Sequence, residues 1–131
     1  MVNETSAVPT DVKLHSRSRD LELNYAGGEV HRLSCEYLRV YSPSAEVKGH
    51  GPGQEVLQTG KLNVAITEIR PVGNYALQLV FDDGHDTGIY SWDYLYHLCH
   101  NQERLWQDYL ERLSAAGDSR DPDVQVLRLD P

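Results

Sequence analysis

Three side chains able to hold a metal ion recur at helical spacing towards the C-terminal end of the sequence: Asp93, His97 and His100. Separations of four and three residues place all three on one face of an α-helix, where ligands from adjacent turns can converge. The same spacing equally describes an Asp–His pair on a solvated helix face, and nothing in it specifies tetrahedral closure. The solvated face is the preferred reading, with zinc or iron held there, or at His50 or His85, as the alternative. A second feature is the loop Gly49-His50-Gly51-Pro52-Gly53-Gln54, whose backbone N–H groups can in principle face an anion. It lacks the Lys-Ser/Thr pair that completes a phosphate-binding loop, so its glycines are read as chain-reversal residues.

Nucleophilic and redox schemes find less support. The sequence has no G-x-S-x-G, and Cys99 beside His100 is not a dyad, because consecutive helical residues diverge by about 100° around the axis. An iron oxygenase facial triad ordinarily includes His-x-Asp or His-x-Glu, and none of the six histidines is followed two places later by a carboxylate. His85 is followed directly by Asp86, which on a strand sends the two side chains to opposite faces. The expectation is a chain without catalytic activity of its own.

The elements that must position these residues can be read from periodicity and turn chemistry. Leu21, Leu23 and Tyr25 alternate with polar residues, Ala26-Gly27-Gly28-Glu29 supplies a turn, and Val30 to Leu33 resumes the strand pattern, predicting a β-hairpin. Ser34 is an N-cap for a helical turn through Cys35 to Arg39, stopped by Ser42-Pro43. Ser42 to Gly60 reads as a long loop or one short helix around Glu55. Two antiparallel strands follow, Asn63 to Val72 and Tyr75 to Phe81, joined at Gly73-Asn74, with Tyr75, Leu77, Leu79 and Phe81 on one face. Asp82-Asp83-Gly84-His85 turns the chain into a third strand, Thr87 to Tyr90. From an N-cap at Ser91, apolar residues recur every three or four positions from Trp92 to Leu113, ending at Gly117, with a break near Asn101 where polar residues occupy the apolar stripe. The predicted class is α+β, a small antiparallel sheet with a long C-terminal helix.

Composition bounds the function. The 131 residues include 12 Lys or Arg against 20 Asp or Glu, a formal charge of −8, and 40% are hydrophobic. That is one domain with one modest core. It has no basic cluster to release counterions from a phosphate backbone, so nucleic acid is not an expected partner. No apolar run approaches the roughly 20 residues of a membrane span, and Met1 to Val12 has no basic stretch leading into an apolar one, so a cytoplasmic protein without membrane attachment is expected. Cys35 and Cys99 are read as free, buried thiols. Polar composition predicts flexible tails at 1–11 and 117–131 around a domain at 12–116; Val124, Val126, Leu127 and Leu129 form an apolar set within the second tail.

One resemblance adds to this reading. It rests on Leu38-Arg39-Val40-Tyr41-Ser42-Pro43-Ser44-Ala45-Glu46, on Gly49-His50-Gly51-Pro52-Gly53-Gln54, on Val72-Gly73-Asn74-Tyr75, and on the run from Phe81-Asp82-Asp83-Gly84-His85 to Tyr94-Leu95. Over about Val12 to Cys99 the chain resembles the small domain found at the N-terminus of gamma-butyrobetaine hydroxylases and as stand-alone bacterial proteins of unknown function. The module also resembles a domain attached to P-loop iron–sulfur cluster carriers of plastids. In the hydroxylases the resemblance implies a structural zinc held by three cysteines in C-x-C-x-x-C spacing and one histidine. Here the matching positions read Ser42, Ser44, Val47 and His85, so no zinc or other cofactor is expected at that site. The resemblance then implies an accessory or protein-interaction module, serving iron–sulfur or other metalloprotein maturation. Its partner would be a P-loop iron–sulfur carrier or an oxygenase, and its binding surface would comprise Arg39, His50, Gly51, Gly53, His85 and Trp92.

Overall fold

A computed structural model describes residues 8–127 and residue 129. Two three-stranded antiparallel sheets and four helices form an α+β architecture. The first sheet contains β1 (Asp11–His15), β2 (Asp20–Asn24) and β3 (Val30–Ser34) in that order. Its central strand carries the predicted alternation: Leu21 and Leu23 have no exposed surface, while Glu22 and Asn24 are half-buried. The strand at Asp11–His15 was not foreseen, because Val12 and Leu14 give only two apolar alternations; pairing with Leu23 and Leu21 supplies what the local pattern lacks. The chain enters β2 through Arg19 at φ 54°, and the β2–β3 turn uses Gly27 and Gly28 at φ 88° and 90°, a region costly for residues bearing a Cβ.

The second sheet, β4 (Ile66–Val72), β5 (Ala76–Phe81) and β6 (Ile89–Ser91), buries Leu77, Leu79 and Phe81 on β5. Tyr75, expected on that face, lies before the strand and is 61% exposed, since its position in the turn does not follow the pleat. A single sheet was expected; the long stretch between Val40 and Ile66 instead separates two.

Helix α1 (Cys35–Val40) begins at Ser34, whose side chain accepts from the Tyr37 N–H. Helix α2 is at Ala45–Lys48, some ten residues before the turn expected around Glu55; Ser44 caps it by accepting from the Glu46 N–H. The C-terminal helix is two: α3 (Trp92–His100) and α4 (Gln102–Ala116), interrupted at Asn101 as its polar stripe predicted. Ser91 caps α3, and Gly117 closes α4 at φ 69°.

One apolar core joins both sheets, α1 and α3; a smaller cluster of Val40, Tyr109 and Leu113 seats α4. Five of the eight tyrosines tie separate elements by donating a phenolic hydrogen to a distant carbonyl. Tyr37 reaches Leu98 at 2.7 Å, Tyr94 reaches Tyr41 at 2.6 Å and Tyr109 reaches Gln58 at 2.7 Å. Burial pushes Tyr94 and Tyr109 up to about 12, so these hydroxyls remain donors throughout the neutral range. Cys35 and Cys99 are free and buried; burial raises both thiols, Cys99 to about 12.

Beyond Gly117 the chain returns to the domain. Gly60 and Leu62 donate their N–H groups to Ser119 and Arg120 carbonyls, both at 2.9 Å. Arg120 grips the buried Glu36 carboxylate with two bonds of 2.7 and 2.6 Å. Val124, Val126, Leu127 and Leu129 remain exposed. The expected N-terminal tail before residue 8 lies outside the described residues, as do 128, 130 and 131.

Candidate functional site

The hook between α1 and α2 and the turn between β5 and β6 meet at a buried polar cluster. Ser42 follows the last turn of α1, and Ser44 caps α2. Opposite them, Gly84 at φ 88° lets the 82–85 turn close, with the Phe81 N–H donating to the His85 carbonyl at 3.0 Å. His85 is thereby placed inside, 4% exposed, with Nε2 2.8 Å from Ser42 Oγ and Nδ1 3.2 Å from Glu46 Oε2. An ionised carboxylate only accepts, so Nδ1 carries the proton and Nε2 accepts from the Ser42 hydroxyl. Ser42 Oγ also accepts from the Ser44 N–H at 3.2 Å, and Ser44 Oγ lies 2.8 Å from Thr87 Oγ1. Burial, then the charge of Arg39, hold His85 below the usual histidine range, and Glu46 and Asp83 only partly oppose this. A neutral imidazole fits its partners.

A second layer lies beside it. Asp83 accepts from Arg39 Nε at 2.9 Å, from Lys61 Nζ at 2.6 Å and from the His85 N–H at 3.2 Å. Partial burial works against ionisation of Asp83, but these donors together keep its carboxyl below the usual range. Arg39 also donates from Nη1 to Gln58 at 3.0 Å, so one guanidinium joins α1, the 82–85 turn and the segment after the glycine loop.

Ser42, His85 and Glu46 reproduce the connectivity of a hydrolase triad. Their surroundings do not suit that chemistry: Ser42 has no exposed surface, and a Cβ at Gly88 would sit 2.7 Å from its Oγ and 2.9 Å from the Tyr90 ring. Ser42 Oγ is enclosed in this packing. The chain of bonds is a cross-link between the α1–α2 hook and the β5–β6 turn.

The residues expected to form one binding surface are therefore divided. Arg39 and His85 meet through Asp83 but are buried, at 7% and 4% exposure, and reach the surface only through partners such as Asp83 and the exposed Glu46. His50 and Gly53 are exposed and Gly51 half-buried, on a loop fixed at both ends. The Val56 N–H donates to the Val47 carbonyl at 2.8 Å, and the Gln54 N–H to the Gly51 carbonyl at 3.1 Å. A Cβ at Gly49, which has φ 72°, would overlap the Gln54 carbonyl, so this position requires glycine. Beside the loop runs a small cleft of about 90 Å³ lined by Val47, Lys48, Val56, Leu57, Tyr94 and Arg112. Lys48 Nζ lies 4.5 Å from the Tyr94 ring centroid, and the Arg112 guanidinium 5.7 Å from that of Tyr41. Trp92 stands apart, half-buried, with Nε1 donating to the Asn74 carbonyl at 2.7 Å.

Asp93, His97 and His100 do not converge. His97 stacks on Tyr94 and approaches the Asn101 amide, whereas His100 turns towards β3 and bonds Glu29. Among the described residues, the three potential ligands that come within 4.8 Å of one another are Glu29, His31 and His100. Glu46, Thr87, Asp83 and Gln58, which surround the buried Ser42 and His85, were not among the expected site residues, since their bonds to Arg39, His85 and one another cross 19 to 44 positions of chain.

Residues 12–96 match the family described as gamma-butyrobetaine hydroxylase-like, N-terminal. The chain belongs to this family. Two NMR solution structures are each 52% identical to it: one covers 93% of this chain and 96% of its own with a TM-score of 0.79, the other 100% and 99% with a TM-score of 0.75. A crystal structure of a protein of unknown function of the DUF971 family from Acidithiobacillus ferrooxidans is 38% identical, covering 73% of this chain and 97% of that one, with a TM-score of 0.60. No curated protein matches. No helix among the described residues is long and apolar enough to cross a membrane.

The resemblance to gamma-butyrobetaine hydroxylases implies a zinc at the α1–α2 hook, and the residues at the four matching positions decide whether this chain can hold it. Here the four matching positions offer two hydroxyls, one hydrocarbon and one imidazole. The hydroxyls of Ser42 and Ser44 already serve His85, the Ser44 N–H and Thr87, and Val47 is 6% exposed with no donor atom. Zinc needs thiolate, imidazole or carboxylate ligands, so this donor set does not fit it. The hydrogen-bonding capacity of both serines is used within the chain.

Proposed function

We propose that this chain is a non-catalytic recognition module whose binding surface is the loop Gly49 to Gln54 together with the adjoining cleft. The observation that carries this reading is that the loop is exposed yet conformationally fixed. Its backbone is anchored by the Val47–Val56 bond and by the overlap that requires glycine at 49, so it presents His50, Gly51 and Gly53 without an ordering cost. The cleft adds an apolar seat in which Val56 is 54% exposed, with the cations Lys48 and Arg112 at its edge. These two cations outnumber the single carboxylate of the lining, Glu55, so an apolar side chain flanked by a carboxylate matches that chemistry. Arg39 and His85 serve from beneath, holding Gln58 and the α1–α2 hook that carry the surface.

The family resemblance supports a partner in metalloprotein maturation, a P-loop iron–sulfur carrier or an oxygenase. The test is a titration of the ¹⁵N-labelled chain with each purified partner class, followed by amide chemical shifts. Shifts centred on residues 47–58 and 112, with weaker binding in His50→Ala and Val56→Asp variants that retain the native spectrum, are expected. Perturbation confined to other faces, or binding unchanged by both substitutions, overturns the proposal.

A further inference from the structure

A separate cluster lies on another part of the molecule, and it goes beyond the recognition reading. Glu29 ends the β2–β3 turn, where the Tyr25 N–H donates to its carbonyl at 2.8 Å. His31, two residues along, therefore shares its side of the strand. His100 is the last residue of α3, which packs across β3. Their ligand atoms meet: His31 Nε2 and His100 Nε2 both approach Glu29 Oε1, at 2.8 and 2.6 Å.

The rings are held by their neighbours. His100 lies on Tyr96 with centroids 4.0 Å apart, His31 stands edge-on to Tyr25 at 6.1 Å, and Tyr25 meets Tyr96 edge-on at 5.2 Å. An aromatic wall thus orients both imidazoles towards one carboxylate. The opposite side is open, with the His31, Glu29 and His100 side chains 22%, 37% and 41% exposed, so an ion and its remaining waters have access. The sequence concealed the set, because Glu29-x-His31 runs in the reverse order to the usual pair and His100 lies far along the chain.

We propose that Glu29, His31 and His100 form a binding site for a first-row divalent transition ion such as Zn²⁺, with water completing the coordination. Two imidazoles and a carboxylate are a zincin-like donor set and suit such ions; Ca²⁺ and Mg²⁺ favour oxygen-rich shells. Metal–ligand bonds of about 2.0–2.1 Å imply ligand separations of about 3.3 Å in a tetrahedral site. The observed 2.8 and 2.6 Å contacts must open by about half an ångström or slightly more, a movement within reach of partly exposed side chains.

The test uses the untagged full chain, stripped with chelator and titrated with Zn²⁺ by calorimetry and with Co²⁺ by its d–d absorption. One equivalent is expected to bind, with His31→Gln, His100→Gln and Glu29→Gln each weakening it at least about tenfold while keeping the native circular dichroism. Asp93→Asn and His97→Gln are expected to bind as the parent does. The absence of saturable binding up to about 1 mM Zn²⁺ overturns the assignment, as does binding indifferent to His31→Gln and Glu29→Gln. A loss of the same size in His97→Gln does so as well.

Discussion

Replacing Ser42 by alanine probes the bonded cluster most directly. Its Oγ satisfies two buried groups at once, His85 Nε2 at 2.8 Å and the Ser44 N–H at 3.2 Å, and the residue has no exposed surface. Each buried polar group left without a partner costs about 1–3 kcal/mol, so Ser42→Ala is expected to destabilise the fold by about 2–6 kcal/mol. Ser44→Ala removes the α2 cap and the Thr87 contact and should cost about 1 kcal/mol. Glu46→Gln acts on a side chain that is 63% exposed and should cost less than about 0.5 kcal/mol. Urea denaturation followed by circular dichroism reads all three. With a slope of about 2 kcal/mol per molar, the Ser42→Ala midpoint should fall by about 1–3 M. A Ser42→Ala protein within about 0.5 kcal/mol of the parent, or a Glu46→Gln protein as unstable as Ser42→Ala, would refute the account of the cluster as a buried cross-link.

The depressed folded-state affinity of His85 for protons predicts a pH dependence. The unfolded chain takes up the proton first, so the stabilisation is complete above the ordinary histidine value of about 6.5 and is lost as pH falls through the lower folded value. Stability measured between pH 7 and 5 should therefore fall more steeply in the parent than in His85→Gln; equal slopes would contradict it. Combining Ser42→Cys, Ser44→Cys and Val47→Cys opposite His85 should restore a zinc site of the family's spacing. One equivalent of zinc and a gain of about 2.7 kcal/mol at a hundredfold excess over Kd are expected, and a triple variant that takes up no zinc would show that the backbone has diverged as well as the side chains. Arg120→Ala leaves Glu36, 7% exposed, without its forked partner; because Arg120 is itself 37% exposed, the expected cost is about 1–3 kcal/mol. Hydrogen exchange at the Gly60 and Leu62 amides should accelerate in that variant, and unchanged protection there would separate the ion pair from the docking of residues 118–122.

Local signals accounted for much of the architecture. Ser34 and Ser91 cap helices because a hydroxyl three residues before an otherwise unpaired N–H offers it a partner, which any reader of the chain can locate. The break at Asn101 was visible as polar residues on an apolar stripe. Strand β1 was hidden because its weak alternation gains strength only from the neighbouring β2. Of the expected binding surface, Arg39 and His85 are buried, which no local signal shows, since polar side chains enter a core only when distant partners satisfy them.

Residue identities and near neighbours alone establish the α+β class, the family, the caps and turns, and the absence of cysteine at positions 42, 44 and 47. Each of these depends on residue identity or on neighbours a few positions away. Tertiary packing settled that Ser42 and His85 bond one another across the α1–α2 hook and the β5–β6 turn, that the glycine loop lies at the surface apart from Arg39, His85 and Trp92, and that His100 faces His31 and Glu29 instead of His97. Those outcomes join residues roughly 40 to 70 positions apart, and the directions in which such side chains meet are set by packing of whole elements.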